Sequence, residues 1–412
     1  MKAKYSKTIT HCQISNSKDL KSLIFLGYLP PVNTLRKINS KISEEIFFPA
    51  EMLYSEKSKL AQLSCIVDKK ILFPKSYPYT SSTTKILRQN FADLYNHTIS
   101  ITKLDKNDLI IDIGSNDGNL LSNFKSNHRV LGVTPEKIGQ IAIKKGIPTI
   151  INYYDKKISS KILKKYGVAK IITATNVFAH IDNINSILKL IKKNLKNDGI
   201  FISESHYLLT LIKTLQYDTI YHEHMRYYSL MSLNYLFKRH GLEIIDVKEI
   251  PTHGGSIRVF ASRKGIYKIS NRVKSQFKKE KGYLNKKHFN IFKKKVVKSK
   301  IDLFNLIKKI SGKNKKICGV GAPSRASTLI NYLGLNEDII DSVLEISGSY
   351  KIGNYVPGTK IPILNENIIN KIKPDFLILF SWHIKEELKK NLRNKGFRGK
   401  FIIPLPKPKI EN

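Results

Sequence analysis

The chain has 412 residues, a formal net charge of +40 and three cysteines. That length exceeds what one hydrophobic core organises and points to two or three domains, while three scattered cysteines exclude a disulfide framework and read as free thiols in a reducing compartment. No segment approaches the roughly 18 uncharged apolar residues of a membrane span, and the polar start MKAKYSKTITHCQ lacks the apolar stretch of a signal peptide, so a cytoplasmic location is expected.

The positive charge does not form the localised patch of a nucleic-acid footprint. Lysine, isoleucine and asparagine are abundant throughout, and runs such as Lys293-Lys294-Lys295 and Lys313-Asn314-Lys315-Lys316 read as solvated helix faces or loops. Nucleic acid is not the expected partner, whereas an anionic small substrate gains from the same field.

Residues 1–75 mix short apolar runs with turn signals such as Leu29-Pro30-Pro31 and show no helical period, as expected of a small separate lobe. A second domain is expected over 76–264, and from Leu109 its pattern changes to apolar runs alternating with amphipathic stretches, the pattern of β-α units building a parallel sheet. Strands are expected at 109–113, 129–133, 169–174 and 199–203, each followed by a helix, with 242–247 and 256–262 forming an antiparallel edge hairpin. Residues 265–312 carry Phe289, Ile291, Phe292, Val296, Ile301, Leu303 and Ile307 at helical spacing and read as a helical connector on the surface. A smaller α/β domain is expected over 313–412, with strands at 316–320, 339–344, 376–380 and 401–403.

The first strand runs through Asp112-Ile113-Gly114-Ser115-Asn116-Asp117-Gly118 into a turn, with a helix expected from about Asn119. Such a turn, at the end of the first strand of an α/β series, is where these sheets bind ligands. The middle glycine of the dinucleotide pattern G-x-G-x-x-G is replaced by polar residues, which favours a ligand with no pyrophosphate at this point, such as S-adenosylmethionine. An ordinary Asp-Gly turn is the bland alternative. At the end of the second strand, Thr134 and Glu136 stand where an acidic residue usually holds a ribose.

Four stretches resemble the C-methyltransferases of deoxysugar biosynthesis: 112–118, Asn176-Val177-Phe178-Ala179-His180-Ile181-Asp182, Tyr217-Asp218-Thr219-Ile220-Tyr221-His222-Glu223-His224 and His253-Gly254-Gly255-Ser256-Ile257-Arg258. Gly319-Val320-Gly321-Ala322 and Tyr355-Val356-Pro357-Gly358-Thr359 extend the resemblance over nearly the whole chain. It implies an α/β protein: a small N-terminal zinc-binding-like lobe, a central class I (Rossmann-like) methyltransferase domain using S-adenosylmethionine, and a C-terminal Rossmann-like domain that helps to hold a sugar nucleotide. The positions matching the family's four zinc cysteines are Cys12, Ser15, Ser55 and Ser58. A serine hydroxyl is too weakly acidic to replace a thiolate, so a metal-free lobe is expected, held by contacts of residues such as Leu23, Phe25 and Leu63.

The resemblance also implies the chemistry. A ketone at C4 of a nucleotide-linked hexose acidifies the C3 proton, and a base then makes an enolate that takes the methyl group. His224 is the implied base, with Tyr221 and Glu223 beside it and His180 and Tyr79 completing the set. Asp112, Gly114, Asn116, Asp117, Gly118, Thr134 and Asn176 are the expected cofactor contacts, and Arg258, Gly321 and Arg325 the expected substrate contacts. Metal catalysis is not expected, because His222-Glu223-His224 lacks the i, i+4 spacing that puts two imidazoles on one helix face. An O- or N-methyltransferase with another acceptor, or a nonenzymatic or nucleic-acid-binding relative, stays open as an alternative.

Overall fold

The computed structural model describes residues 5–41, 44–72, 85–311 and 315–412. Tyr79 lies outside the described residues. The N-terminal lobe is an antiparallel sheet in the order Arg226–Tyr227, Ala61–Leu63, Phe48–Ser55 and Leu20–Leu29. Its first strand comes from the segment that follows His224, so the lobe is built around that segment. Leu23 and Leu63 are buried, but Phe25 is 49% exposed, contrary to expectation. A register shift between Ser22 and Ile24 lets Leu23 and Ile24 both face inward and turns Phe25 out.

Helix α1, Lys85–Ile101, precedes the central sheet. That sheet comprises β1 Leu109–Ile113, β2 Arg129–Thr134, β3 Thr149–Ile151, β4 Ala169–Thr175, β5 Leu195–His206, β6 Leu242–Ile250 and β7 Ser256–Arg263. Its spatial order is β6-β7-β5-β4-β1-β2-β3, with β1 to β5 parallel and β7 antiparallel to both neighbours. The pair β6–β7 is antiparallel as expected, yet only β6 is an edge; β7 is interior. Near-continuous burial along β1 and β4 is what a sheet covered on both faces requires.

Helix α2, Leu230–Arg239, packs on β6. The connector forms α3, Asn271–Tyr283, and α4, Lys286–Ser311. Phe289, Phe292, Val296, Leu303 and Ile307 bury one stripe of α4, while Ile291 and Ile301 face water. The connector is more than a surface strap: Glu280 of α3 is fully buried and accepts the Leu230 and Met231 backbone N–H groups at the start of α2, as well as the Tyr207 hydroxyl. A carboxylate there satisfies orphan helix donors and complements the helix dipole.

The C-terminal sheet has β8 Ile317–Val320, β9 Ser342–Glu345, β10 Ile363–Asn365, β11 Phe376–Leu379, β12 Lys400–Ile403 and β13 Lys409–Glu411, in the order β10-β9-β8-β11-β12-β13. Helix α5, Ser324–Leu333, follows β8. The lobe is sewn to the others at two seams. Asn354–Tyr355 pairs with Arg36–Lys37 of the N-terminal lobe, and Arg325 of α5 pairs with Asp218 of the central domain.

Candidate active site

The first part of the site is the turn after β1. Gly114 has φ +80°, and a Cβ there would lie 2.3 Å from Val177 Cγ2, so only glycine lets residues 176–180 pack onto the turn. Asn116 and Asn176 adopt φ 50° and 56°, a region asparagine tolerates better than most residues. Gly118 has φ +78° and sits against Ala142 and Ile147. The expected helix after Asn119 is absent; only a 3₁₀ turn, Leu121–Asn123, forms. Ser122 and Asn123 donate their side chains to the carbonyls of Asn119 and Leu120, which offers the backbone an alternative to the helical ladder. With no helix N-terminus aimed at it, the turn is not built for a pyrophosphate.

Asp112 is buried beneath the turn, where its Oδ1 accepts the Thr173 hydroxyl at 2.6 Å. Burial, with the Glu204 charge adding to it, pushes its carboxyl up to about 7. Asp117 is buried with the Lys145 ammonium 3.7 Å away. Thr134 donates its hydroxyl to Glu136 at 2.9 Å. Asn176 Oδ1 and Ser115 Oγ are buried with no hydrogen-bond partner among the described residues. An unpaired buried acceptor beside a glycine turn fits a ligand that brings its own donors, as the amino group of S-adenosylmethionine does.

The second part is a cluster of imidazoles at the carboxyl ends of β4 and β5. His224 and His180 have ring centroids 5.3 Å apart, His206 and His224 5.1 Å, and His206 and His253 5.9 Å. The His224 Nδ1–H donates to the Thr219 carbonyl at 3.2 Å, which leaves Nε2 as the lone-pair nitrogen, 3.3 Å from the Tyr221 hydroxyl. His180 likewise donates Nδ1–H to the Glu223 carbonyl at 2.7 Å. Burial first, then the neighbouring His180, depresses His224 to about 3, and burial depresses His180 to about 4. Both imidazoles are therefore neutral at pH 7 and in the form a base requires.

His222-Glu223-His224 fans out. His222 points into the N-terminal lobe, where Nε2 meets the Pro49 carbonyl at 3.3 Å and the ring packs edge-on against Phe48. Glu223 accepts the Asn33 side-chain amide, and His224 joins the imidazole cluster. Arg226, fully buried, ties the segment down by donating to the carbonyls of Phe178, Ile181 and Asp182. The strand 226–227 pairs with 61–62 and fixes the orientation.

Both expected substrate arginines are placed otherwise than anticipated. Arg258 is 0% exposed on an interior strand, its guanidinium taken by Glu204, Asp93 and Asn90. It does not face water. Arg325 makes two bonds of 3.0 Å to the Asp218 carboxylate and a third to Gln216, and Trp382 Nε1 donates to the same carboxylate. The turn at Gly321 is also closed from within: the Ala322 N–H goes to Glu345 and the Ala322 carbonyl to Lys351. Residues the sequence reading missed are Asn33, His206, Asp218 and Glu204. Glu204 and His206 carried a signal as polar residues near the carboxyl end of a central strand, and Asp218 through its place in the 217–224 stretch.

The former zinc positions do not fit zinc. Cys12 Sγ lies 3.0 Å from Ser58 Oγ, while the Ser55 hydroxyl and Lys57 N–H donate to the Asp19 carboxylate, which also receives Ser17. One thiol and three hydroxyls are not a structural zinc set. Asp19 occupies the centre of this hydrogen-bonded clasp.

Three family models match in series: a zinc binding domain over 12–73, a methyltransferase domain over 85–247 and a C-methyltransferase C-terminal domain over 251–406. The chain is 28% identical to the C-methyltransferase NovU of Streptomyces niveus over 412 residues, spanning 98% of this chain and 97% of that protein. Domain by domain, the chain is a methyltransferase followed by the C-terminal domain of a C-methyltransferase. The central sheet is accordingly the class I methyltransferase fold. Among solved structures, a methyltransferase from Clostridium acetobutylicum is 16% identical over 45% of this chain and 94% of its own, with a TM-score of 0.34. Magnesium protoporphyrin IX methyltransferase from Synechocystis is 12% identical over 43% of this chain and 83% of its own, also with a TM-score of 0.34. Likenesses of that size carry no functional weight. Among the described residues, no helix is long and apolar enough to cross a membrane.

Proposed function

We propose that the acceptor is a nucleotide-linked 4-keto (deoxy)hexose and that the methyl group goes to C3. The observation that carries this reading is the neutral His224, its Nδ1 held by the Thr219 carbonyl and its Nε2 directed at the Tyr221 hydroxyl. When bound, S-adenosylmethionine supplies an electrophilic methyl group on a sulfonium. His224 Nε2 takes the C3 proton, the C3–H electrons move into the C3–C4 bond, and the C4 oxygen becomes an enolate. A hydroxyl then stabilises that oxygen; Tyr221, kept protonated by burial and 3.3 Å from His224 Nε2, is the donor beside the base. As C3 takes the methyl group the C4 carbonyl reforms, and the electrons of the broken carbon–sulfur bond would stay on sulfur, which leaves as a neutral thioether. Glu223 and the C-terminal lobe complete the acceptor side of the site.

A base held near 3 grips a proton weakly in the free protein. An anionic substrate brought against the cluster raises its affinity for a proton, because a nearby opposite charge favours the imidazolium. The same reading places the ligand's amino-acid end at Asn176 and Gly114, and its ribose at Glu136, oriented by Thr134.

The test is incubation of the protein and S-adenosylmethionine with a panel of nucleotide-linked 4-keto-deoxysugars, read by mass spectrometry. A methyl-sized mass gain, lost about 10²- to 10⁴-fold in His224→Ala with cofactor affinity unchanged, is expected. No gain on any sugar despite cofactor binding contradicts the acceptor and points to an O- or N-methyl acceptor instead.

A further inference from the structure

We propose that Asn33 of the N-terminal lobe is a positioning residue of the active site, holding the Glu223 carboxylate in place from a lobe that otherwise resembles a degraded metal module. The inference rests on the placement of Glu223 in the acceptor site. Asn33 is 7% exposed and Glu223 5%. The Asn33 amide donates Nδ2–H to Glu223 Oε1 at 2.5 Å, and Tyr350 of the C-terminal lobe donates its hydroxyl to Asn33 Oδ1 at 3.1 Å. Both partners fix the amide orientation, since a carboxylate only accepts and the hydroxyl hydrogen needs an acceptor. One side chain thus joins the central, N-terminal and C-terminal parts of the chain.

The backbone around Asn33 is anchored on both sides. Strand Leu20–Leu29 ends four residues earlier, Pro30 and Pro31 restrict the turn, and Arg36–Lys37 pairs with Asn354–Tyr355 three residues later. Thr34 N–H closes on the Pro31 carbonyl at 3.2 Å and Leu35 N–H on the Asn33 carbonyl at 3.0 Å. Such bracing gives a side chain little freedom to drift, which a positioning role requires.

The groups facing Glu223 are few. From the C-terminal lobe come Tyr350 and the half-buried Lys351, whose Nζ donates to the Ala322 carbonyl at 2.6 Å and has Glu345 as its other anion. From its own segment comes Tyr221, and from the turn after β4 the His180 ring bonded to the Glu223 carbonyl. Burial pushes Glu223 up to about 7, opposed by the Asn33 bond and the Lys351 charge. Removing the amide donor deprives the charged form of a partner, so the carboxyl retains its proton to higher pH. Loss of a lobe contact alone has no such consequence.

The test uses the full chain with Asn33→Leu, of similar volume and without a donor. Its first readout needs no substrate: a difference-infrared titration of the carboxyl stretch, assigned by its disappearance in Glu223→Gln. The expected result is a midpoint about one unit above wild type, with S-adenosylmethionine affinity within about twofold of wild type. On a converted 4-keto sugar the acid limb of kcat should move up with it, about a fivefold loss at pH 7 for a one-unit shift. Tyr350→Phe, which removes only the hydroxyl behind Asn33, should shift the midpoint in the same direction by less, and stands as the test should Asn33→Leu not fold. An unshifted midpoint in a folded Asn33→Leu, or in Tyr350→Phe where the first variant does not fold, overturns the inference. A Glu223→Gln protein as active as wild type would instead remove Glu223 from the acceptor site, a separate failure.

Discussion

Two strand-ending glycine turns in this chain have opposite fates. After β1, Gly114 brings the backbone against Val177, and Asn176 Oδ1 and Ser115 Oγ are buried without a partner among the described residues. After β8, Gly321 makes the same kind of turn, yet its neighbour's N–H is taken by Glu345, its carbonyl by Lys351, and the nearby arginine by Asp218. The first turn keeps buried polar groups in reserve, as the proposed cofactor site requires, and the second is a closed joint between lobes. A glycine motif alone does not distinguish them; what distinguishes them is whether the protein has already satisfied the polar groups around it.

The largest way to break this contrast is at the joint. Asp218→Ala leaves the Arg325 guanidinium buried without its counter-charge, which costs about 3–5 kcal/mol. Thermal unfolding should show a large fall in Tm, and a variant as stable as wild type would mean that Arg325 is not a strut. Next comes the receptor turn. Gly114→Ala combines φ +80° with a 2.3 Å overlap on Val177, so calorimetry should show S-adenosylmethionine binding weakened at least about tenfold, roughly 1.4 kcal/mol. Gly321→Ala meets nothing closer than Ser381 Oγ at 3.1 Å; it should carry about 1–2 kcal/mol of backbone strain with cofactor affinity unchanged. Equal effects of the two substitutions on affinity would erase the contrast.

The smallest effect belongs to the clasp around Asp19. Burial works against its charge, but the hydrogen bonds from Ser17, the Lys57 N–H and Ser55 hold the carboxyl below its ordinary 3.8. A carboxyl depressed in the folded state stabilises above its unfolded pKa and loses that contribution as pH falls through the folded one. The N-terminal lobe should therefore loosen only below about pH 3.8, and a chelator at pH 7 should leave Tm unchanged. A chelator-induced fall in Tm would show that a metal holds the lobe.

Much of the scaffold was legible in the sequence because it follows from local rules. The alternation of apolar runs places β1, β2, β4 and β8, and Gly114 and Gly118 mark their turn without help from tertiary contacts. The absent helix after Asn119 shows where local rules stop: Ser122 and Asn123 bond their own backbone instead. Arg258 was misread because one strand's pattern does not reveal which neighbour it takes, and insertion of β7 between β5 and β6 buries it. Asn33 and Asp218 come from separate stretches, and nothing in their own neighbourhoods announces the lobe-to-lobe contacts that give them a role. Their signal is three-dimensional.

The most direct measurement of the central claim separates proton removal from methyl transfer. The protein, loaded with S-adenosylhomocysteine so that no methyl group is available, is incubated in deuterium oxide with a nucleotide-linked 4-keto-deoxysugar, and deuterium at C3 is followed by mass spectrometry. The account predicts exchange by the wild type and its loss in His224→Ala. Exchange that survives in His224→Ala, or methylation at C3 by a wild-type protein that never exchanges, would contradict it.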